Sequence, residues 1–356
     1  MKHKIKTLLS KAPIRRKHEP EKTLEEAIHN IPRITNETVA EHREEVLSTA
    51  RKYIYPLQHS LRRIVMISVI IFAALAVLFF TYCGLALYKF NTTSTFMYRV
   101  AQVIPFPVAK AGSSYVAYEN YLFELRHYIH YYQTQQKIDF SSTAGKQQLD
   151  VFRKKALQQV IDDAYIKQLA ATNHVTVSDQ EVSAEMELLR SQNRLGGSDG
   201  VFADVLKEFW GWSIDDFKRE LKTQLLNQKV VSALDSQTHD RAQNVLNQLN
   251  NGGDFAALAK QFSDDTSTGA QGGDYGFAIT KDNRDLPPQV VDAIFKLKAG
   301  QTSSIIETPA GLEIVKVTEV DGNSVRASHM FFKFKSIDTY LNPLKQKHKQ
   351  VQLIHV

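Results

Sequence analysis

The stretch LEIVKVTEVDGNSVRASHMFFKF, residues 312–334, decides how the C-terminal part of this chain folds. Two runs of alternating apolar residues flank Asp321 and Gly322, a dipeptide suited to the tight turn of a β-hairpin. In the second run a period of two puts Met330, Phe332 and Phe334 on one face. His329, Phe331 and Lys333 fall on the other. The first face reads as core. On the second, His329 is either a packed histidine or a working group.

Upstream, RAQNVLNQLNNGGDFAALAKQFSDD (241–265) reads as a helix, a Gly-Gly turn and a second helix. The Gly-rich STGAQGGDYGFAI follows and ends in a short strand. It lacks a preceding strand and a following Lys-Ser/Thr, so it is not a phosphate cradle. A helix is expected from Pro288, a turn at Gly300, and then two strands ending at Val320.

The residues GGDFAALAKQFSDD, GGDYG, DAIFKLKAGQ and ETPAGLEIVKV, in this order across 240–320, resemble the parvulin family of peptidyl-prolyl isomerases. The resemblance implies an α+β domain, an antiparallel sheet with helices, over 240–335. It also implies peptidyl-prolyl cis-trans isomerase activity without a cofactor or metal. Parvulin domains begin with a strand of the type ASHILVK, whose histidine faces the active site. Here the residues before Arg241, VVSALDSQTHD, continue a helix, and ASHMFFKF comes at the other end. One reading is a circularly rearranged domain in which the hairpin returns His329 to the family's place. The other is a truncated second repeat. The rearranged reading requires residues 327–334 to pair with 312–320.

Carried over residue by residue, the resemblance assigns catalytic positions to His329, Asp265 and Glu313. It assigns the apolar substrate clamp to Leu286, Val290 and Phe295, with Phe331 beside them on the His329 face. Glu313 stands where the family usually has a second histidine, and Val290 where a bulky aromatic is common. Each polar residue also has a plain reading, Asp265 as a turn residue and Glu313 as a solvated strand residue.

The middle of the chain is helical. Residues 105–133 begin extended, turn at Gly112 and enter an aromatic helix from about Tyr118; 147–172 repeat apolar positions at helical spacing. Ser178 with Glu181, and Ser213 with Asp216, are capping-box patterns that open further helices. The segments PVAKAGSSYVAYENYLFELR, VTVSDQEV and GWSIDDFKRELKTQLLNQKV make 105–239 similar to the N-terminal chaperone domain of the SurA-PrsA-PpiD foldases. That resemblance implies unfolded or proline-containing polypeptides as partners. Glu124, His127 and His130 share one helix face, but a metal site would need a second such helix.

Residues 64–88, IVMISVIIFAALAVLFFTYCGLALY, carry no charge and are long enough to cross a bilayer. Five basic residues precede this span within 43–63 (Arg43, Arg51, Lys52, Arg62, Arg63); two, Lys89 and Arg99, follow within 89–109. That bias predicts a single-pass protein of the cell membrane with a cytoplasmic N-terminus and extracytoplasmic C-terminal domains. Residues 1–63 form a basic tail, whose part from Val39 has helical spacing and either lies on anionic lipid or is a solvated flank. Residues 89–104 are expected as a linker and 336–356 as a basic C-terminal tail.

The net charge of +6 excludes less than it suggests. The 14 Lys/Arg and 8 Asp/Glu of residues 1–63 account for all of it, leaving 44−14 = 30 basic and 38−8 = 30 acidic groups elsewhere. No basic face covers the folded part, which argues against nucleic acid as a partner. The single cysteine, Cys83, excludes an intramolecular disulfide. The sequence thus expects a membrane-anchored isomerase and chaperone. The alternatives are a non-enzymatic holdase with a degenerate peptide-binding parvulin unit, or an anchor whose tail gathers partners. It does not indicate an oligomeric state.

Overall fold

The structure, a computed structural model, describes residues 34–54, 57–191 and 198–356. The first part of the basic tail, 1–33, lies outside the described residues. The chain divides between Phe79 and Phe80 into two units.

The first unit contains α1 (Asn36–Ile54), exposed from Asn36 to Thr49, and most of α2 (Leu57–Gly84). The segment Leu61–Lys89 is long and apolar enough to cross a membrane. Large apolar side chains such as Ile70, Phe72 and Leu78 stand exposed along it.

The second unit begins with the end of α2 and a π-turn, Leu85–Lys89. Cys83, Ala86 and Leu87, expected within the span, are buried in a protein core with Met97, Val108 and Tyr118. The Tyr118 hydroxyl donates to the Leu87 carbonyl at 2.7 Å and Tyr88 to that of Pro107 at 2.7 Å.

Two expectations are corrected here. The linker 89–104 contains helix α3 (Thr95–Val103), capped by Ser94, with Met97 and Ala101 in the core. The basic tail 336–356 is folded: it forms α13 (Asp338–Lys347) and a short strand, β7 (Val351–Gln352). Leu341 and Ile354 are buried, Lys345 pairs with Asp162 at 2.7 Å, and Tyr165 donates to the His348 carbonyl. A few apolar residues with distant partners hold this segment, a signal that local periodicity does not carry.

The helical domain opens with a hairpin, β1 (Pro107–Ala111) and β2 (Ser114–Ala117), turned at Gly112, and β7 adds to its other edge. Then come α4 (Tyr118–Thr134), α5 (Thr143–Thr172), α6 (Asp179–Ser191), α7 (Asp199–Trp210) and α8 (Ile214–Leu234). Both expected capping boxes are present. Ser178 and Glu181 exchange hydrogen bonds at the start of α6, and Ser213 and Asp216 do so at the start of α8. Arg219 ties α8 to α4, donating to both oxygens of Glu119 at 2.6 and 3.0 Å with its guanidinium over the Phe123 ring. The candidate metal residues of α4 turn to different neighbours. His127 stacks on Trp212, His130 lies 2.9 Å from the Glu208 carbonyl, and Glu124 borders a small pocket with Asp163 and Glu220.

Asp235 makes the passage to the second domain. It is buried, caps α9 (Ser236–Asn250) through Thr238, and accepts from the Lys335 backbone at 2.8 Å. Next come α10 (Phe255–Phe262), the one-turn α11 (Thr266–Gly269), β3 (Ile279–Thr280), α12 (Pro288–Ile294), β4 (Ile306–Thr308), β5 (Gly311–Asp321) and β6 (Ser324–Lys333). The sheet order is β3-β6-β5-β4, antiparallel throughout.

The decisive hairpin forms as read. Leu312 faces Phe332, Ile314 faces Met330, and Val317 faces Ala327. The last-delivered strand β6 therefore completes the same sheet, as the rearranged reading requires, and does not begin a second repeat. Met330, Phe332 and Phe334 bury against α9 and α10. Each such side chain contributes roughly 2 kcal/mol on burial. On the other face Val315, Val317 and Ala327 pack under α12 with Val290 and Ile294.

Candidate active site

The helix-turn-helix of α9 and α10 ends at Ser263, and the chain then runs against β6: Phe331 donates to Ser263 Oγ, and Asp264 N donates to the Phe331 carbonyl. This docking delivers Asp265, which caps α11. Its carboxylate accepts from the Ser267 amide at 3.0 Å, the Ser267 hydroxyl, and the Thr268 hydroxyl at 2.7 Å. The glycine loop runs along the edge of β6 that faces away from β5, the edge that β3 also joins. His329 N donates to the Gly273 carbonyl at 2.8 Å and Tyr275 N to that of Ala327 at 3.2 Å. Only glycine fits at 273. Its φ is +83°, and a Cβ there would lie 2.2 Å from the His329 carbonyl oxygen.

These elements converge on His329. Its Nε2 lies 2.8 Å from Thr268 Oγ1 and 3.2 Å from Asp265 Oδ2, while its Nδ1 lies 3.2 Å from Glu313 Oε2. Glu313 faces Phe331 across the hairpin and is thus the diagonal neighbour of His329. The Tyr275 ring stacks on the imidazole, with centroids 4.2 Å apart, and its hydroxyl donates to Glu313 Oε2 at 3.1 Å. His329 and Glu313 are both buried.

The electrostatics follow from these partners. Burial opposes the charge on Asp265, but the hydrogen bonds from Ser267 and Thr268 outweigh it and hold the carboxyl well below the usual range. Burial, and after it the charge of Glu313, push the Tyr275 phenol far up, so it remains a neutral donor. A histidine flanked by a carboxylate at each nitrogen can donate to both only as imidazolium; a neutral ring donates to one. The arrangement is a fixed polar floor with no free nucleophile.

Above it lies a cleft of about 650 Å³. Leu286, Pro287, Pro309 and Phe331 supply apolar wall, and Asp265, Glu313 and His329 the polar floor. The three expected catalytic residues are thus brought together, and Leu286 and Phe331 stand beside them. Val290 and Phe295 do not line the cleft. Val290, a residue of α12, is wholly buried against Val315 and Val317 in the core that this helix covers. Phe295 ends that helix and packs beside Lys281, whose ammonium lies 5.7 Å from its ring centroid. The sequence reading missed Thr268 and Tyr275. Thr268 follows Asp265 at capping spacing, and Tyr275 sits in the quoted GGDYG, so both had a signal. It also missed Glu185, Leu188 and Leu189 of α6, which wall the cleft from the helical domain.

Two family matches follow the order of the helical and sheet domains. The SurA-like N-terminal domain family matches residues 57–231, and the PPIC-type PPIase domain family matches 225–319. The second match ends before β6, so the strand bearing His329 lies beyond it. Foldase protein PrsA 3 of Bacillus anthracis is 28% identical over 189 residues, 46% of this chain and 64% of that protein. The periplasmic chaperone PpiD of Escherichia coli (strain K12) is 36% identical over 94 residues, 26% of this chain and 14% of PpiD. The crystal structure of PrsA from Bacillus anthracis aligns with 54% of this chain and 86% of its own, at 22% identity and a TM-score of 0.18. The chain spans under two thirds of the length of PrsA 3.

Proposed function

We propose that this protein is a membrane-anchored peptidyl-prolyl cis-trans isomerase and chaperone that assists the folding of secreted or envelope polypeptides outside the cytoplasm. The observation that carries the reading is His329, held between Asp265 and Glu313 on the floor of a cleft walled by Leu286 and Phe331. The apolar helix Leu61–Lys89 and the basic bias before it support a single span with the N-terminus inside.

Prolyl isomerisation breaks no covalent bond. Its barrier of roughly 20 kcal/mol comes from amide conjugation, so a catalyst must favour the twisted amide over the planar one. Leu286, Pro287 and Phe331 grip the proline ring and exclude water. The hydrogen-bonded floor meets the twisting amide with groups that are already oriented, so little reorganisation is required. His329 is the group at the centre of that floor. Asp265, Thr268, Glu313 and Tyr275 position it.

The test is a protease-coupled proline assay on the full chain in neutral detergent, with and without His329→Ala. Truncation at residue 90 is unsuitable, because it would strip Cys83 and Leu87 from the domain core. The reading expects kcat/KM to fall by at least about tenfold in the variant. Equal, background-level rates in both proteins would defeat it. One observation favours a second reading, a holdase without turnover: Val290 and Phe295 are withdrawn from the cleft, leaving a reduced clamp. That reading expects both proteins to be inactive yet equally able to suppress aggregation of an unfolded client.

A further inference from the structure

The cleft is not built by the isomerase domain alone. Glu185, Leu188 and Leu189 of α6 stand on its wall, spaced i, i+3, i+4 so that they share one helix face. The placement of α6 is well tied. Lys222 and Lys229 of α8 pair with Asp179 and Glu181 at 2.7 and 2.6 Å, and Val182, Met186 and Leu189 pack with Phe202, Leu206 and Leu221. Helix α8 in turn leads through the buried Asp235 into the isomerase domain.

The charges on this wall are lopsided. Among the described residues, Glu185, Asp264, Asp265, Asp285 and Glu313 line the cleft against Lys333 and the site histidine. Three of these carboxylates are engaged. Asp264 takes a two-pronged bond from Arg241, Asp265 is bound by Ser267 and Thr268, and Glu313 accepts from Tyr275. Glu185 and Asp285 have no side-chain hydrogen bond or ion pair among the described residues. Each stands beside the apolar groups that would grip a proline: Asp285 precedes Leu286 and Pro287, and Glu185 shares its face with Leu188 and Leu189.

We infer that α6 is a substrate-selecting wall of the isomerase cleft, and that Glu185 with Asp285 selects prolyl segments carrying a Lys or Arg next to the proline. The helical domain thereby reads the residue flanking the bond that the neighbouring domain turns. A cation placed there meets two unpaired carboxylates at the rim, whereas an acidic residue meets like charge. The turnover arm of the test rests on the isomerase reading; the binding arm rests on the cleft alone.

The experiment compares the labelled peptides Ala-Lys-Pro-Phe, Ala-Leu-Pro-Phe and Ala-Glu-Pro-Phe on the full chain in neutral detergent. Binding is read by fluorescence polarisation and turnover by the coupled assay. The Lys peptide is expected to bind about fivefold tighter than the Glu peptide, with most of the difference lost in high salt. Glu185→Gln and Asp285→Asn should each bring the ratio toward one. Glu187→Gln, on the same helix but outside the cleft, should leave it in place. Equal binding of the three peptides, or a preference that survives both cleft substitutions, would overturn the inference. Absent turnover with a Lys preference in binding would remove the isomerase reading and keep this one.

Discussion

Asp265 in the cleft and Glu124 in the helical domain are both carboxylates withdrawn from bulk water, yet their surroundings treat the charge oppositely. Asp265 is surrounded by donors from Ser267 and Thr268 and is held ionised. Glu124 has no hydrogen-bond donor among the described residues. Burial pushes its carboxyl up to about 8, helped by the charge of Glu220 and countered only in part by Arg219. Asp163, in the same pocket, is pushed up to about 6 by burial and again by Glu220. Burial opposes the charge in both places; at Asp265, the less buried of the two, donors at hydrogen-bond distance outweigh it, and at Glu124 the attraction of Arg219 does not. One region is built to keep a charge in place; the other tolerates a carboxyl by protonating it.

The sharpest way to break the cleft while sparing the helical pocket is Gly273→Ala. The added methyl would meet the His329 carbonyl oxygen at a residue that already has positive φ. The loop must leave β6, and the stacked Tyr275 and its hold on Glu313 go with it. A loss of about 4 kcal/mol in unfolding by denaturant is expected, with the proposed isomerase activity abolished. A variant of wild-type stability would show that the loop does not brace His329. The converse is Arg219→Ala, which removes the fork on Glu119 and the contact with Phe123 in the helical domain. Because this pair is partly exposed, a loss of about 2 kcal/mol is expected, with kcat/KM near that of the parent. A large fall in kcat/KM at constant stability would show that the two regions are coupled.

Most of the frame of both regions was legible because it is local. The Asp321-Gly322 turn, the alternation on either side of it, and the capping boxes at Ser178 and Ser213 are signals a few residues long, and each formed. His329, Asp265 and Glu313 could be named because the quoted motifs resemble those of parvulins, and the hairpin then brought the three side chains together. The misses have a common physical origin. Val290 and Phe295 stand where the resemblance put the clamp, but which side chains a helix turns toward a cleft depends on what the helix packs against. The fold of 336–356 depends on Leu341, Ile354 and Lys345 meeting partners far away in sequence. The wall from α6 was invisible for the same reason, since it arises from packing between domains.

The smallest expected effect carries the comparison furthest. In the folded protein Glu124 holds its proton up to about pH 8, whereas in the unfolded chain it releases it near the ordinary value for a carboxyl. Between those limits the native state binds more protons than the unfolded state, so stability falls as pH rises. The contribution is fully present below the unfolded value and lost as pH climbs toward about 8. Asp265 behaves in the opposite sense: its lowered value adds stability that is present at neutral pH and lost on acidification. Glu124→Gln keeps the shape of the side chain and removes the titration. It should therefore raise stability at pH 8 by about 1–2 kcal/mol, leave it little changed at pH 5, and flatten the slope between them. Thermal unfolding of both proteins across that range makes the check. A parent whose stability does not decline from pH 5 to 8, or a variant that declines as steeply, would mean that Glu124 finds a donor in solution, and the contrast between the two carboxylates would disappear.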